Sequence, residues 1–290
     1  LLTEDLPRRR WFGANSKRIT GARVHDLLPL KAEAPDDELH AVLTLLELDY
    51  ASGESETFSL PLCFARMERA VRLLGDASPL VIAELTRRRS GGAETRYAVY
   101  DAMADSLVPA SFASMARRKT ARKGRSGELV GEMTARSSKA LGEVASIEPR
   151  LLRGEQSNSS VLFGECAIMK VFRRVEPGEN PDLEVGRHLT ERVRFPHTPR
   201  VLGSLSYSRR AAEPMTLAII QEHVVNEGDA WSYALDQVGA FFERVEGDGD
   251  ALPPAAWRQG DPLDLAQKGL PDEAHDLLQT FAMNAELLGA

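Results

Sequence analysis

The rhythm of apolar and polar positions changes several times along the chain, and each change predicts an element. Ile19 to Leu30, Ala41 to Tyr50 and Thr57 to Phe64 read as strands, separated by the turn-forming runs Pro35-Asp36-Asp37 and Ser52-Gly53-Glu54-Ser55. Val42, Leu43, Leu45, Leu46 and Leu48 equally allow a helix. An antiparallel sheet with a helix packed on it accounts for this first part. Shorter strands follow at Leu80 to Leu85 and Tyr97 to Tyr100, then a helix from about Asp105.

From Leu151 to Glu184 the pattern is a strand, a tight polar turn, a second strand, a second turn, a third strand carrying Lys170, and a capped helix carrying Glu184. Asn180 suits the N-cap, Pro181 the first helical position, and Asp182 the positive end of the helix dipole. Three strands between Ser146 and Val175, with Arg200 to Ser208 and Thr216 to Val224, give a five-stranded antiparallel sheet with one helix. Beyond it, Trp231, Leu235, Val238, Phe242 and Val245 recur at helical spacing between Asp229 and Glu246, which places Trp231 and Phe242 in a core. Gly247 to Asp250 and Pro253-Pro254 read as a loop, and Pro271, Asp272 and Glu273 open a last helix.

The stretch around Lys170 carries the candidate chemistry. A nucleoside triphosphate needs backbone N–H groups and a fixed cation to meet its charge. The turn Gly154 to Ser160 is small, polar and rich in donors, and Lys170 is held in the apolar strand Ala167 to Phe172. A kinase strand lysine is tethered in this way by a glutamate from the next helix. Each part alone has a plainer meaning: a strand lysine also sits at sheet edges, and the turn lacks the G-x-G-x-x-G and P-loop patterns. The order turn, lysine, helix glutamate is what points to a nucleotide. His223 follows the last strand, where a kinase hinge would run, but no nucleophile or second carboxylate accompanies it. Adenine there would bond to main-chain groups of Glu222 and Val224.

Charge and composition exclude some classes. The 290 residues carry a net charge of −7, which argues against a general nucleic-acid surface. The run Arg117 to Arg125 is the most basic stretch and reads as a solvated helix end and loop, or as a docking face for an acidic protein. No apolar run is long enough for a bilayer. Cys63 and Cys166 suggest two buried thiols in a reducing cytoplasm rather than a disulfide or zinc site. Trp11, after the basic Arg8, Arg9 and Arg10, is expected to anchor a core rather than stack on a sugar.

The segments Gly154 to Ser160, Met169 to Arg174 and Glu176 to Gly186 closely resemble bacterial maltokinases, as do Leu6 to Gly13, Phe195 to Pro199, Gln221 to Val224 and Gly228 to Trp231. The resemblance covers nearly the whole chain. Maltokinases, found in many bacteria fused C-terminal to trehalose synthase, look like aminoglycoside phosphotransferases with an added cap. The resemblance implies an α+β chain: a cap over residues 1–90, a protein-kinase-like small lobe over 91–224, and the first helices of a truncated large lobe over 225–290. It further implies a cytoplasmic enzyme of α-glucan synthesis that uses ATP and Mg²⁺ to turn maltose into maltose 1-phosphate, with no nucleic-acid or membrane partner.

Carried onto this sequence, Lys170 would contact the α and β phosphates and Glu184 would hold Lys170. Ser157, Asn158, Ser159 and Ser160 would cover the phosphates, and Glu222, His223 and Val224 would face adenine. The His-Gly-Asp segment of such kinases does not occur in the chain. Asp248, Asp250, Asp261 and Asp264 lie in loop-like sequence without its setting. No catalytic residue is therefore assigned, the catalytic Asp and the metal ligands are expected beyond Ala290, and the 290 residues alone are expected to be inactive. Two rivals are a kinase of the same fold for another small acceptor, and a non-enzymatic module docking kinase to trehalose synthase.

Overall fold

The computed structural model describes residues 2–9, 11–13, 17–30, 39–75, 80–88, 94–135, 137–152, 157–226, 228–247, 278 and 280–289. Arg10, Pro35 to Asp37, Gly154 to Gln156, Asp248, Asp250, Pro253, Pro254, Asp261, Asp264 and Pro271 to Glu273 lie outside the described residues. The chain divides into two compact units, residues 1–224 and 225–290.

The first unit is α+β and built on two antiparallel sheets. Long alternating segments make β1 (Ile19–Leu30), β2 (Leu39–Tyr50) and β3 (Ser55–Arg66). Helix α2 (Met67–Leu74) follows directly, after the short α1 (Leu2–Asp5) at the start. The hairpin β4 (Val81–Arg88) and β5 (Glu94–Asp101) completes the sheet in the order β1-β2-β3-β5-β4. This sheet thus extends to Asp101, past the boundary near residue 90, because β5 pairs with β3. The segment that allowed helix or strand is strand β2, and burial alternates imperfectly along it because both its faces are covered.

The second sheet has seven strands where five were expected. Helix α3 (Leu107–Arg118) leads into β6 (Ala121–Lys123) and β7 (Glu128–Met133), the two unexpected ones. After α4 (Ser138–Val144) come β8 (Arg150–Leu151), β9 (Asn158–Phe163) and β10 (Ala167–Phe172). The two-residue β11 (Arg174–Val175) leaves this sheet to pair with β3 of the first. Helix α5 (Pro181–His188), β12 (Val201–Ser208) and β13 (Met215–Glu222) complete the order β6-β7-β12-β13-β10-β9-β8. Gly131 lets α3 lie close on β7, since a Cβ there would come 2.5 Å from the Met115 carbonyl.

Two buried charges join the sheets. Arg173, 1% exposed and between β10 and β11, donates through Nη2 to both Asp101 carboxylate oxygens at 3.0 and 2.7 Å. Its Nε and Nη2 also donate to Ser159 Oγ at 2.9 and 2.6 Å, and it lies 4.9 Å from the Trp11 ring centroid. Trp11 is accordingly packed against the smaller core cluster with Phe12 and Phe58. Asp26 on β1, also 1% exposed, accepts from the main-chain N–H groups of Arg125, Ser126 and Gly127 at 2.7, 3.1 and 2.9 Å, and from the Tyr207 hydroxyl at 2.9 Å. Gly124 permits this embrace, because a Cβ would come 2.7 Å from the carboxylate.

In the second unit, α6 (Ala230–Gly247) forms where its periodicity predicts, but the apolar stripe is exposed: Trp231 is 73% exposed, and Leu235, Val238 and Phe242 are exposed too. The covered stripe is the opposite one. Tyr233 stacks on Phe281 of α7 (Thr280–Gly289), and Asn284 donates to its hydroxyl at 2.7 Å. Periodicity locates a stripe without saying what covers it. Cys63 is buried as expected, whereas Cys166, in the tight turn between β9 and β10, is exposed. Among the described residues no helix is long and apolar enough to cross a membrane.

Breaking one partner of a buried ion pair strands the other charge, at about 3–5 kcal/mol. Arg173→Met and Asp101→Leu should each lower stability by about that amount in guanidinium titrations, and the double variant should lose less than either. For Asp26, burial pushes the carboxyl up, but the Tyr207 hydroxyl and the surrounding main-chain N–H groups outweigh it and hold it below the usual carboxylate value. Its contribution is therefore complete above about pH 4 and is lost as pH falls through the lower folded value. Asp26→Asn should reduce stability at neutral pH and flatten its fall below about pH 4, read from urea midpoints measured as the pH is lowered.

Candidate functional site

The sheet register decides which predicted residues meet. Lys170 on β10 is opposite Ser160 on β9 and Ile219 on β13. Directly opposed residues share a face and neighbours along a strand alternate, so Lys170, Ile168, Asn158, Ser160, Leu162 and Gln221 line one face. Met169, Val171, Val161, Phe163, Ala218 and Ile220 line the other, and every one of these is buried. The Lys170 face is the more open: Ile168, Lys170, Leu162, Asn158 and Gln221 are half-buried.

Helix α5 supplies the lysine's partner. Asn180 caps it by accepting from Asp182 N–H at 2.9 Å, Pro181 takes the first turn, and Leu183 is buried beneath. These signals were read correctly from the sequence, but the helix phase was not. Lys170 Nζ donates to Asp182 Oδ2 at 3.0 Å; Asp182 and Glu184 are both exposed, and the pairing with the lysine sets Asp182 apart. Residues two apart on a helix are about 200° apart around its axis, so one of these acids faces the sheet when the other does not.

The polar turn also divides. Ser157 is exposed at the entrance to β9, and Asn158 shares the face of Lys170. Ser159 lies on the opposite face with its hydroxyl taken by Arg173, which removes it from the group expected over the phosphates. Ser160 is buried, and its hydroxyl has no hydrogen-bond partner among the described residues.

At the end of β13, Glu222 N–H donates to the Arg200 carbonyl at 2.9 Å, and its carboxylate accepts from Arg200 Nε at 2.9 Å and from Nη2. Arg200 holds that carboxyl below the usual range. The Glu222 side chain is on the face away from Lys170, beside a cleft of about 320 Å³ lined by Lys139, Ala140, Glu143, Cys166 and Arg200. Only its main chain can serve the Lys170 side. His223 N–H donates to the Cys166 carbonyl at 3.2 Å, tying this segment to the β9–β10 turn, and Val224 is exposed. Among the described residues no group of three or more His, Cys, Asp or Glu side chains could hold a metal ion.

The architecture is an antiparallel sheet with a strand lysine and a helix carboxylate, fastened to a second antiparallel sheet through Arg173 and Asp26. Residues 6–105 match the family described as the Maltokinase N-terminal cap domain, a span that contains strands β1 to β5 of the first sheet. A curated relative, "Glucosamine kinase" from Streptacidiphilus jiangxiensis, is 30% identical over 104 residues, which are 35% of this chain and 24% of the relative. The chain thus spans about a quarter of the length of that relative. Solved structures of a glucosamine kinase, one in complex with glucosamine, ADP and inorganic phosphate and another in crystal form A, match 77% of the chain and 39% and 38% of theirs. They do so at 17% and 18% identity, each with a TM-score of 0.40.

Adjacent serines should respond oppositely to truncation. Ser159→Ala leaves buried Arg173 donors unmet and should cost about 1–3 kcal/mol, whereas Ser160→Ala removes an unpartnered buried hydroxyl and should leave stability equal or higher. Urea denaturation of both variants checks this.

Proposed function

We propose that the chain is the cap and nucleotide-binding part of an ATP-dependent kinase that phosphorylates a sugar, with maltose as acceptor and maltose 1-phosphate as product. The observation that carries this reading is Lys170, half-exposed on the open face of an antiparallel sheet and paired with a carboxylate from the following helix. The maltokinase cap beside it favours a sugar as acceptor. Ile168 and Leu162 are apolar yet half-exposed on the same face, where a water-facing sheet surface normally carries polar side chains. A purine ring would cover them.

In this reading the ammonium of Lys170 meets the α and β phosphates. Asn158 and the turn before it approach the phosphates, and the main chain from Glu222 to Val224 faces adenine. Ser160 is on the lysine's face but fully buried, so it is given no contact to the nucleotide in this reading. The cap extends to about residue 105, the small lobe to 224, and residues 225–290 begin the helical lobe that would bind the acceptor. The enzyme is cytoplasmic and acts with a trehalose synthase as fused or associated partner. Mg²⁺ would neutralise phosphate charge, but the described residues do not form its site, so no step is assigned to it.

The test is transfer from ATP in the intact protein, with the sugar phosphate identified by ³¹P NMR. Maltose should be phosphorylated, and Lys170→Met should lower the rate by about a hundredfold or more without changing the melting temperature. Glucosamine, the sugar named for the relatives, is the competing acceptor. Preference for it would replace maltose in this reading, and full activity of Lys170→Met would overturn the site.

A further inference from the structure

The pairing of Lys170 does not end at Asp182. The Asp182 N–H is bound by Asn180 Oδ1 at 2.9 Å, and the Asn180 N–H donates to Thr216 Oγ1 at 3.0 Å. Thr216 is buried on β13, the strand that ends at Glu222. Two residues before the cap, Gly178 N–H donates to the Pro214 carbonyl at 2.9 Å, and Gly178 forms a bridge with Met215. Gly178 has a φ of 103°, a conformation L side chains rarely adopt, and this lets the chain turn there. The start of α5 is therefore fastened to the start of β13 at two points before it presents Asp182.

From this we propose that Asp182, not Glu184, is the positioning carboxylate of the nucleotide lysine, and that Thr216 and Asn180 set where it stands. The inference rests on the nucleotide reading of Lys170. An aspartate has one methylene less than a glutamate, so it reaches the ammonium only if its backbone is brought close. The Asn180 cap and the Thr216 contact do this. The helix dipole favours a carboxylate in this first turn. Glu184 sits about 200° around the axis from Asp182, and the ammonium is paired with Asp182. For it to replace Asp182, α5 would have to rotate, expelling Leu183 from its buried position and parting Gly186 from Val201, where a Cβ would already come within 2.7 Å of Val201 Cγ2.

The experiment is fluorescence titration of the intact protein with a fluorescent ATP analogue. Lys170→Met comes first: if it does not weaken binding, the nucleotide reading itself fails. If it does, Asp182→Asn should weaken binding by about three- to fivefold, the range of a partly exposed ion pair. Asp182→Glu should recover part of the loss, and Thr216→Val should give a smaller loss of the same sign. Glu184→Gln should bind as wild type. In a Lys170→Met background, Asp182→Asn and Thr216→Val should have no further effect, because both act through the ammonium. Loss of binding in Glu184→Gln with none in Asp182→Asn would overturn the proposal, as would an undiminished Asp182→Asn effect in the absence of the lysine.

Discussion

A guanidinium with 1% of its surface exposed dominates the design of the first unit. Burying a charge is tolerable only when it is paired and its remaining donors are satisfied. Arg173 meets that demand with a carboxylate from the first sheet, a hydroxyl from the second and an aromatic face from the N-terminal segment. Its own carbonyl accepts from Ser59 N–H at 2.7 Å, so the backbone is held as firmly as the side chain. The consequence for function is one of parity. A strand shifted by one residue turns every side chain to the other face. With Arg173 fixed toward the first sheet, Lys170, an odd number of positions away, is directed to the open face.

Asp26 provides a second and chemically different fastening. Its partners are mostly main-chain N–H groups, supplied by the hairpin between β6 and β7. The basic run matters here for its backbone more than for its charges. The Arg117 and Arg118 side chains end α3, where the dipole favours cations, and Lys119 caps it in the left-handed conformation. Arg125 contributes an N–H to a buried carboxylate while its guanidinium stays exposed. A run that suggested an anionic partner by composition thus has a structural role that composition could not express.

How far the fold was legible follows from where its information is stored. Strand β1 spans the residues its alternation indicated, and the cap residues of α5 stand where Asn180 and Pro181 placed them. These are local signals, set by period and by chemistry within one turn. What was missed is relational. The strand Ala121–Lys123 carries two charged residues because it lies at a sheet edge, so no apolar pattern marked it. The apolar stripe of α6 was legible as a stripe, but its exposure depends on which face α7 meets. Ser159 and Ser160 are indistinguishable in a polar turn until the register of β9 sends one toward Arg173 and the other toward the lysine's face.

The exchange of Glu184 for Asp182 has the same origin. A sequence shows that two acids lie in the first turn of a helix after the strand lysine, and the longer one is the natural choice if the helix axis is free to sit anywhere. Here the axis is constrained from outside the helix, through Gly178, Asn180 and the β13 residues they bind. Once that end is fixed, 100° per residue leaves a single acid in reach of the ammonium, and the side chain with the shorter reach is the one that faces it. Distance in the sequence names the candidates; the fastening of the helix start chooses between them.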